Sequence, residues 1–179
     1  MVRFFSLVIL SAFLTSAAVA QTLTTQEAQR FVDAMPAVQE LGAQYQDSFD
    51  RDLQPEKGEP FAPYSQGAAQ LKADDAAAYR ALSDVVADHG FDTVDQWAGV
   101  GDQVMAAYLA LKTGDRRAEL TEMRARLTPD MLSRLPAGMQ RQMETAMAML
   151  ETVEQVPDAH IDAVRPVAGD LDDMVERGR

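Results

Sequence analysis

The sequence predicts an all-α protein, a single-domain bundle of five to seven helices that follows a removable leader. Apolar side chains recur at spacings of three and four along most of the chain, which is the period of one face of an α-helix. Several of these stripes begin just after a residue that can cap a helix, and the alternation typical of strands is scarce. The length of 179 residues suits one domain, so we assign residues 21–179 to the helical domain.

Residues 1–20 have the three parts of a secretory signal peptide. Arg3 supplies a positive start, residues 4–14 are almost unbrokenly apolar, and Ala18 and Ala20 are the small residues before a cleavage point. The apolar run is too short for a membrane anchor, which needs about 20 apolar residues. The chain has 13 arginines and 3 lysines, a bias that we associate with bacterial proteins. We therefore expect cleavage after Ala20, no transmembrane segment, and a periplasmic or secreted protein.

The composition excludes several classes of function. Because 28 acidic residues face 16 basic ones, for a net charge of −12, the chain is a poor candidate for nucleic-acid binding, which depends on Lys and Arg at phosphates. It has no cysteine, which rules out disulfides, thiolate metal sites, iron–sulfur clusters and cysteine nucleophiles. Nothing in the composition calls for a cofactor.

The first helix is predicted to begin after a capping box formed by Thr24 and Glu27. An apolar stripe that includes Phe31 and Val38 follows it, and Pro36 within the stripe should kink or restart the helix. Residues 51–67 contain three prolines and several other turn-forming residues, which predicts a loop.

Two further helices are predicted over residues 68–89 and 94–112, with Gly90 ending the first and Asp92 or Thr93 capping the second. Gly99 and Gly101 weaken the second by about 1 kcal/mol each, which the close approach of another helix would explain. The predicted core takes its aromatic and branched residues from these stripes: Phe31, Phe91, Trp97, Val104 and Tyr108.

The second half of the chain continues the helical pattern. Residues 115–127 predict a fourth helix, and Thr128 and Pro129 open a short turn that ends near Leu135. A long helix follows over 136–155, and a last helical region runs from 157 to 176 with a break at Pro166.

Methionines recur at multiples of four residues from Met131 into the long helix. Met131, Met139, Met143 and Met147 would share one face of a helix, together with Leu135. This pattern fits a face packed in the core, because methionine fills irregular gaps. It also fits an adaptable binding groove, and it fits a copper site, because thioether sulfur is a soft ligand for Cu(I). Met139, Met143 and Met147 are the candidate metal ligands, although no His or Cys lies in the run.

A cluster of basic residues precedes the methionines. Seven bases and four acids lie between Lys112 and Arg141, so this stretch is positive in an otherwise acidic chain. Some of the bases form ordinary helix pairs, such as Glu122 with Arg126. The cluster fits either a solvated helix against acidic neighbours or an interaction surface for an acidic partner, with Arg116, Arg117, Arg124 and Arg126 as its members.

Other motifs carry little chemistry. His89 lies at a predicted helix end, and His160 between Asp158 and Asp162 offers too few ligands for a specific metal site. The sequence has no zinc-protease, phosphate-loop or serine-hydrolase motif, and we name no catalytic residue. A hydrolase built on two carboxylates stays open, because any acidic chain has candidates.

Two resemblances concern the mode of export and the fold. Two stretches of the sequence resemble small uncharacterised exported helical proteins of Gram-negative bacteria. They are Gly90-Phe91-x5-Trp97-x3-Gly101-Asp102-x5-Tyr108 and the ending Ala163-Val164-x-Pro166 with Leu171-Asp172. This resemblance implies export and helices but no activity. Two further segments are similar to the Leu-Thr-x-x-Gln motifs of Spy-type periplasmic chaperones, except at their last residues. They are Leu23-Thr24-Thr25-Gln26-Glu27 and Leu127-Thr128-Pro129-Asp130-Met131. That similarity implies a chaperone-like activity.

The sequence thus favours an exported, non-catalytic binding or interaction protein that meets a protein partner. The alternatives are copper handling through the methionines and a carboxylate-based hydrolase. The sequence does not indicate an oligomeric state.

Overall fold

A computed structural model describes residues 22–49, 60–126 and 135–177, and in these ranges the chain is helical with no strand. The predicted all-α, single-domain bundle is confirmed. The predicted leader and residues 51–59 of the predicted loop lie outside the described residues. The α-helices are α1 (Thr25–Gln44), α2 (Gln46–Phe49), α3 (Pro63–Asp74), α4 (Ala76–Asp88), α5 (Val94–Thr113), α6 (Arg117–Arg126), α7 (Ala137–Glu154), α8 (Asp158–Val164) and α9 (Ala168–Arg177).

Helix α5 is the centre of the bundle. It packs against α1, α3, α4, α7 and α8, and nine of its residues are buried. Tyr108 of α5 donates a hydrogen bond of 2.5 Å to Asp172 of α9, and Lys112 lies 2.7 Å from the same carboxylate. The hydrogen bonds from Lys112 and Tyr108 lower the pKa of Asp172, so this carboxylate stays ionised while it holds α9 to α5.

The predicted capping box is present at the start of α1. The Thr24 hydroxyl accepts a hydrogen bond of 3.2 Å from the N–H of Glu27, and the Glu27 carboxylate accepts one of 2.9 Å from the N–H of Thr24. The prediction of a restart at Pro36 is wrong, because α1 runs through it to Gln44. Burial of Phe31 and Val38 on the inner face outweighs the local cost of the proline, whose ring lies on the exposed side.

The predicted helix 68–89 is instead two helices that meet at Asp75. The N–H of Asp75 closes α3 by donating to Leu71, and its carboxylate caps α4 by accepting from the N–H groups of Ala77 and Ala78 at 3.0 Å. The Ser48 hydroxyl donates to the other oxygen of this carboxylate at 2.7 Å, which fixes α2 against the junction.

The predicted loop extends too far, because residues 63–67 belong to α3. Pro63 stands at the start of this helix, where its missing N–H costs nothing. The N–H groups of Tyr64 and Ser65 donate to the two carboxylate oxygens of Asp102 on α5, at 2.9 and 3.1 Å. The cap of α3 therefore comes from a residue that is distant in sequence, which a search for neighbouring caps does not find.

All five residues predicted for the core are buried: Phe31, Phe91, Trp97, Val104 and Tyr108. The ring of Phe31 stacks on that of Trp97 with centroids 5.8 Å apart, and Tyr64 meets both rings edge-on. The prediction that another helix approaches the glycines of α5 is confirmed for Gly101, which abuts Phe31 and Tyr64. It is wrong for Gly99, which has no neighbour where a Cβ would be.

None of the helices in the described ranges is long and apolar enough to cross a membrane.

Candidate functional site

The strongest candidate for an interaction site is α7, which joins the bundle mainly through its C-terminal end. There Val153 is buried, and the Thr152 hydroxyl accepts a hydrogen bond of 3.1 Å from the N–H of Phe61. Val153 is also the one buried residue among the described side chains of α7. None of the described side chains in the N-terminal half of the helix is fully buried.

Met139, Met143 and Met147 lie on one side of α7, and we call them the methionine surface. Met139 is 52% exposed, and Met143 and Met147 are each partly exposed. The interpretation that these methionines pack in the core is wrong for Met139, because α7 meets the bundle through its other end. Met131, the first methionine of the sequence pattern, lies outside the described residues.

Helix α6 contacts the C-terminal turns of α7. Arg124 of α6 lies 2.9 Å from Glu154 and 3.8 Å from Glu151 of α7, and the Thr121 hydroxyl donates to Glu154 at 2.7 Å. These contacts hold α6 against the C-terminal turns of α7, beyond the last residue of the methionine surface.

The four candidate arginines of the basic cluster do not share one environment. Arg124 is engaged with α7, and Arg126 forms an i, i+4 pair of 3.5 Å with Glu122. Arg116 is exposed, and the side chain of Arg117 is not among those that the structure describes. Two of the four positive charges are therefore paired within the chain, so a partner would have to compete for them.

The histidines have structural positions. The ring of His89 makes a 2.8 Å hydrogen bond to the carbonyl of Val85 at the end of α4. His160 accepts a hydrogen bond of 3.2 Å from the N–H of Leu23, which holds the segment before α1 against α8. Across the described ranges no three His, Asp or Glu side chains are grouped as metal ligands.

The His160 bond predicts a pH dependence of stability. Burial lowers the pKa of His160 below its ordinary 6.5, because desolvation disfavours the charged ring. As the pH falls, His160 is therefore protonated in the unfolded chain before it is protonated in the folded chain. The neutral His160 contributes its full stabilisation above pH 6.5, and this stabilisation is lost as the pH falls through the pKa of the folded state. We expect the wild type to lose more free energy of unfolding than His160→Gln between about pH 7.5 and pH 5, because glutamine can accept the bond without titrating. Urea unfolding at both pH values measures this, and equal losses would contradict it.

Asp102 is the described carboxylate whose pKa is raised. Burial raises the pKa of Asp102, although the hydrogen bonds from Ser65 and Tyr64 oppose this effect. Burial and the charge of Asp102 raise the pKa of Tyr64 to about 12. Such shifts can mark catalytic groups, but both oxygens of Asp102 are occupied by the cap of α3, and the adjoining cavity is only about 10 Å³. Asp102 therefore has a structural role here.

Several carboxylates do share the wall of a groove between α1 and α9. Asp33, Asp170 and Asp173 line this groove of about 310 Å³ together with Arg177. All three acids are exposed to solvent, and Asp33 already accepts a hydrogen bond of 2.9 Å from Gln29. The groove is the place at which the carboxylate alternative can be tested, but it lacks the desolvated pair of carboxyl groups that acid–base chemistry needs.

Comparison with known proteins adds no family to this description. No protein-family model matches the chain, and neither a curated protein nor a solved structure is significantly similar to it.

Proposed function

We propose that this chain is an exported, non-catalytic binding protein that holds an apolar segment of a protein partner on the methionine surface. The observation that carries the proposal is the exposure of Met139, at 52%, on a helix in whose N-terminal half none of the described side chains is fully buried. The pattern of residues 1–20 supports export, with a mature chain that begins at Gln21.

The chemistry of methionine indicates the kind of partner. Its side chain is unbranched and polarisable, so a methionine surface can adapt to apolar side chains of different shapes. The faces of an amphipathic helix or of an incompletely folded chain present such side chains. Chaperone-like binding is one form of this function, and the resemblance of Leu23–Glu27 to a Spy-type motif is consistent with it.

A client-aggregation assay tests the chaperone-like form. The mature wild type, at equimolar amounts, should delay the aggregation of chemically reduced insulin, and Met139→Gln with Met143→Gln should weaken client binding about tenfold or more, since two apolar contacts are lost. Arg141→Gln is the matched control, because Arg141 is exposed and lies on the side of α7 roughly opposite Met139 and Met143. The absence of any delay by the wild type would overturn the chaperone-like form.

Photo-crosslinking in cells that produce the protein tests the proposal more generally. A photoreactive side chain at position 139 should form a discrete adduct with a protein, and the same group at position 141, roughly opposite on the helix, should not. Equal adducts from both positions, or none from 139, would contradict binding at the methionine surface.

Metal analysis separates the copper alternative from the proposal. Copper that co-purifies with the wild type and is lost from Met139→Gln with Met143→Gln would favour metal handling, because thioether ligands are then required. Equal copper content in the two proteins would remove that alternative.

A further inference from the structure

A cavity of about 220 Å³ lies where α1, α2, α3, α4 and α5 meet, away from the methionine surface. Its wall is mainly apolar, with Phe49, Tyr64 and Trp97 supplying aromatic rings. The remaining apolar lining comes from residues such as Val38, Leu71 and Leu82. None of the residues of the methionine surface lines this cavity, so the inference below does not rest on the proposed function.

The lining restricts the charge of any occupant. Among the described residues that line the cavity there is no Asp, Glu, Lys, Arg or His. An ion placed there would lose its hydration without gaining a partner, which is strongly unfavourable. The polar groups at the wall are neutral: the Ser48 hydroxyl, the Gln70 carboxamide and the Tyr64 phenol. This described lining therefore favours a neutral occupant that carries one or two polar atoms at most.

The volume and the aromatic wall restrict the size and shape of the occupant. An apolar cavity of about 150 Å³ stays free of water and binds benzene, so 220 Å³ accommodates a ring with a short substituent or two small fused rings. Flat rings pack favourably against the edges and faces of aromatic side chains. The indole N–H of Trp97, a residue of this wall, is buried and has no hydrogen-bond partner among the described residues. An oxygen on the occupant would offer such a group an acceptor.

We propose that this cavity is a binding site for a small neutral aromatic molecule of one or two rings, such as one that carries a single hydroxyl. Trp97 and Tyr64 contribute stacking surface, and Ser48 and Gln70 contribute hydrogen-bonding capacity for the polar substituent. Ser48 retains acceptor capacity because its hydroxyl hydrogen is directed to Asp75.

The chain has one tryptophan, so its indole N–H gives a single, assigned signal in a proton–nitrogen correlation spectrum. Titration of the full mature chain with benzyl alcohol should shift this signal in a saturable way, and toluene should do the same. Benzoate has the same ring with a charge, and it should cause no saturable shift. Saturation by benzoate with the affinity of benzyl alcohol, or no saturation by any of the three, would overturn the proposal.

A cavity-filling variant locates the binding. Ala68 is buried and lines the cavity, so Ala68→Leu should occupy the space and weaken benzyl alcohol binding about tenfold or more. Ala69→Leu is the matched control, because it adds the same side chain on the exposed side of the same helix and should leave the affinity unchanged. Equal affinity in Ala68→Leu and Ala69→Leu would place the probe elsewhere and overturn the proposal.

A measurement on the unaltered chain covers the case in which Ala68→Leu does not fold. Ring protons of bound benzyl alcohol should give intermolecular Overhauser effects to the indole protons of Trp97. Effects confined to other residues, with none at Trp97, would overturn the proposal.

Discussion

Replacing Trp97 by alanine is expected to destabilise the protein by about 3–5 kcal/mol, the range for a large aromatic residue removed from a core. The indole is 4% exposed and packs against both Phe31 and Tyr64, which belong to α1 and α3. Its loss therefore leaves a void where three helices meet, and the rigid rings on either side cannot close it. Urea unfolding followed by far-ultraviolet circular dichroism measures the change, because the variant has no tryptophan left to report.

Trp97→Phe is the control for this prediction. It keeps an aromatic ring at the position and removes the indole N–H that has no hydrogen-bond partner among the described residues. We expect it to cost clearly less than Trp97→Ala, since part of the volume is retained. Native tryptophan emission at long wavelength, readily quenched by iodide, would contradict the burial on which both expectations depend.

The sequence predicts those parts of the fold that depend on neighbouring residues. Thr24 with Glu27 and Thr93 with Gln96 are caps completed within one turn, so their spacing is visible in the sequence. Gly90 has a positive φ of 80°, which matches its predicted place after a helix. The apolar stripe of α5 likewise follows from its period, because a helix inside a bundle must bury one face.

Features that depend on tertiary structure were missed. The cap of α3 is supplied by Asp102, which is 38 positions from Tyr64, and no local pattern connects the two. The junction at Asp75 was missed because apolar residues continue across it on both sides. The chain continues as a helix through Pro36 because packing elsewhere on α1 outweighs a local penalty that the sequence pattern treats as decisive.

For the methionine surface on α7, too, the sequence predicts the local arrangement but not the tertiary packing. A period of four places Met139, Met143 and Met147 on one side, and the structure preserves that arrangement. Whether such a side is buried depends on where the helix is attached to the bundle. The attachment runs through Thr152 and Val153 at the far end, a position that the periodicity of the methionines cannot indicate.

The two glycines of α5 should respond to alanine with opposite signs. A Cβ at position 101 would lie 2.5 Å from Cε2 of Phe31 and 3.0 Å from Cγ of Tyr64, which is closer than packed atoms tolerate. Both neighbours are rings within the aromatic cluster, so they cannot move independently, and Gly101→Ala should cost about 1–3 kcal/mol or more despite the better helix propensity of alanine. At Gly99 there is no atom within 4 Å of the same position, so Gly99→Ala should gain up to about 1 kcal/mol. Chemical denaturation of both variants, monitored by the emission of Trp97, measures the two changes.

The comparison between these variants separates packing from propensity, because both substitutions add one methyl group to the same helix. If helix propensity alone governed the response, both variants would gain the same stability. If any glycine in α5 were needed for backbone conformation, both would lose, yet neither has a positive φ. Opposite signs therefore require a close approach at Gly101 alone. That approach seats the ring of Phe31 against α5, so a stabilising effect of Gly101→Ala would mean that α1 and α5 do not pack as described.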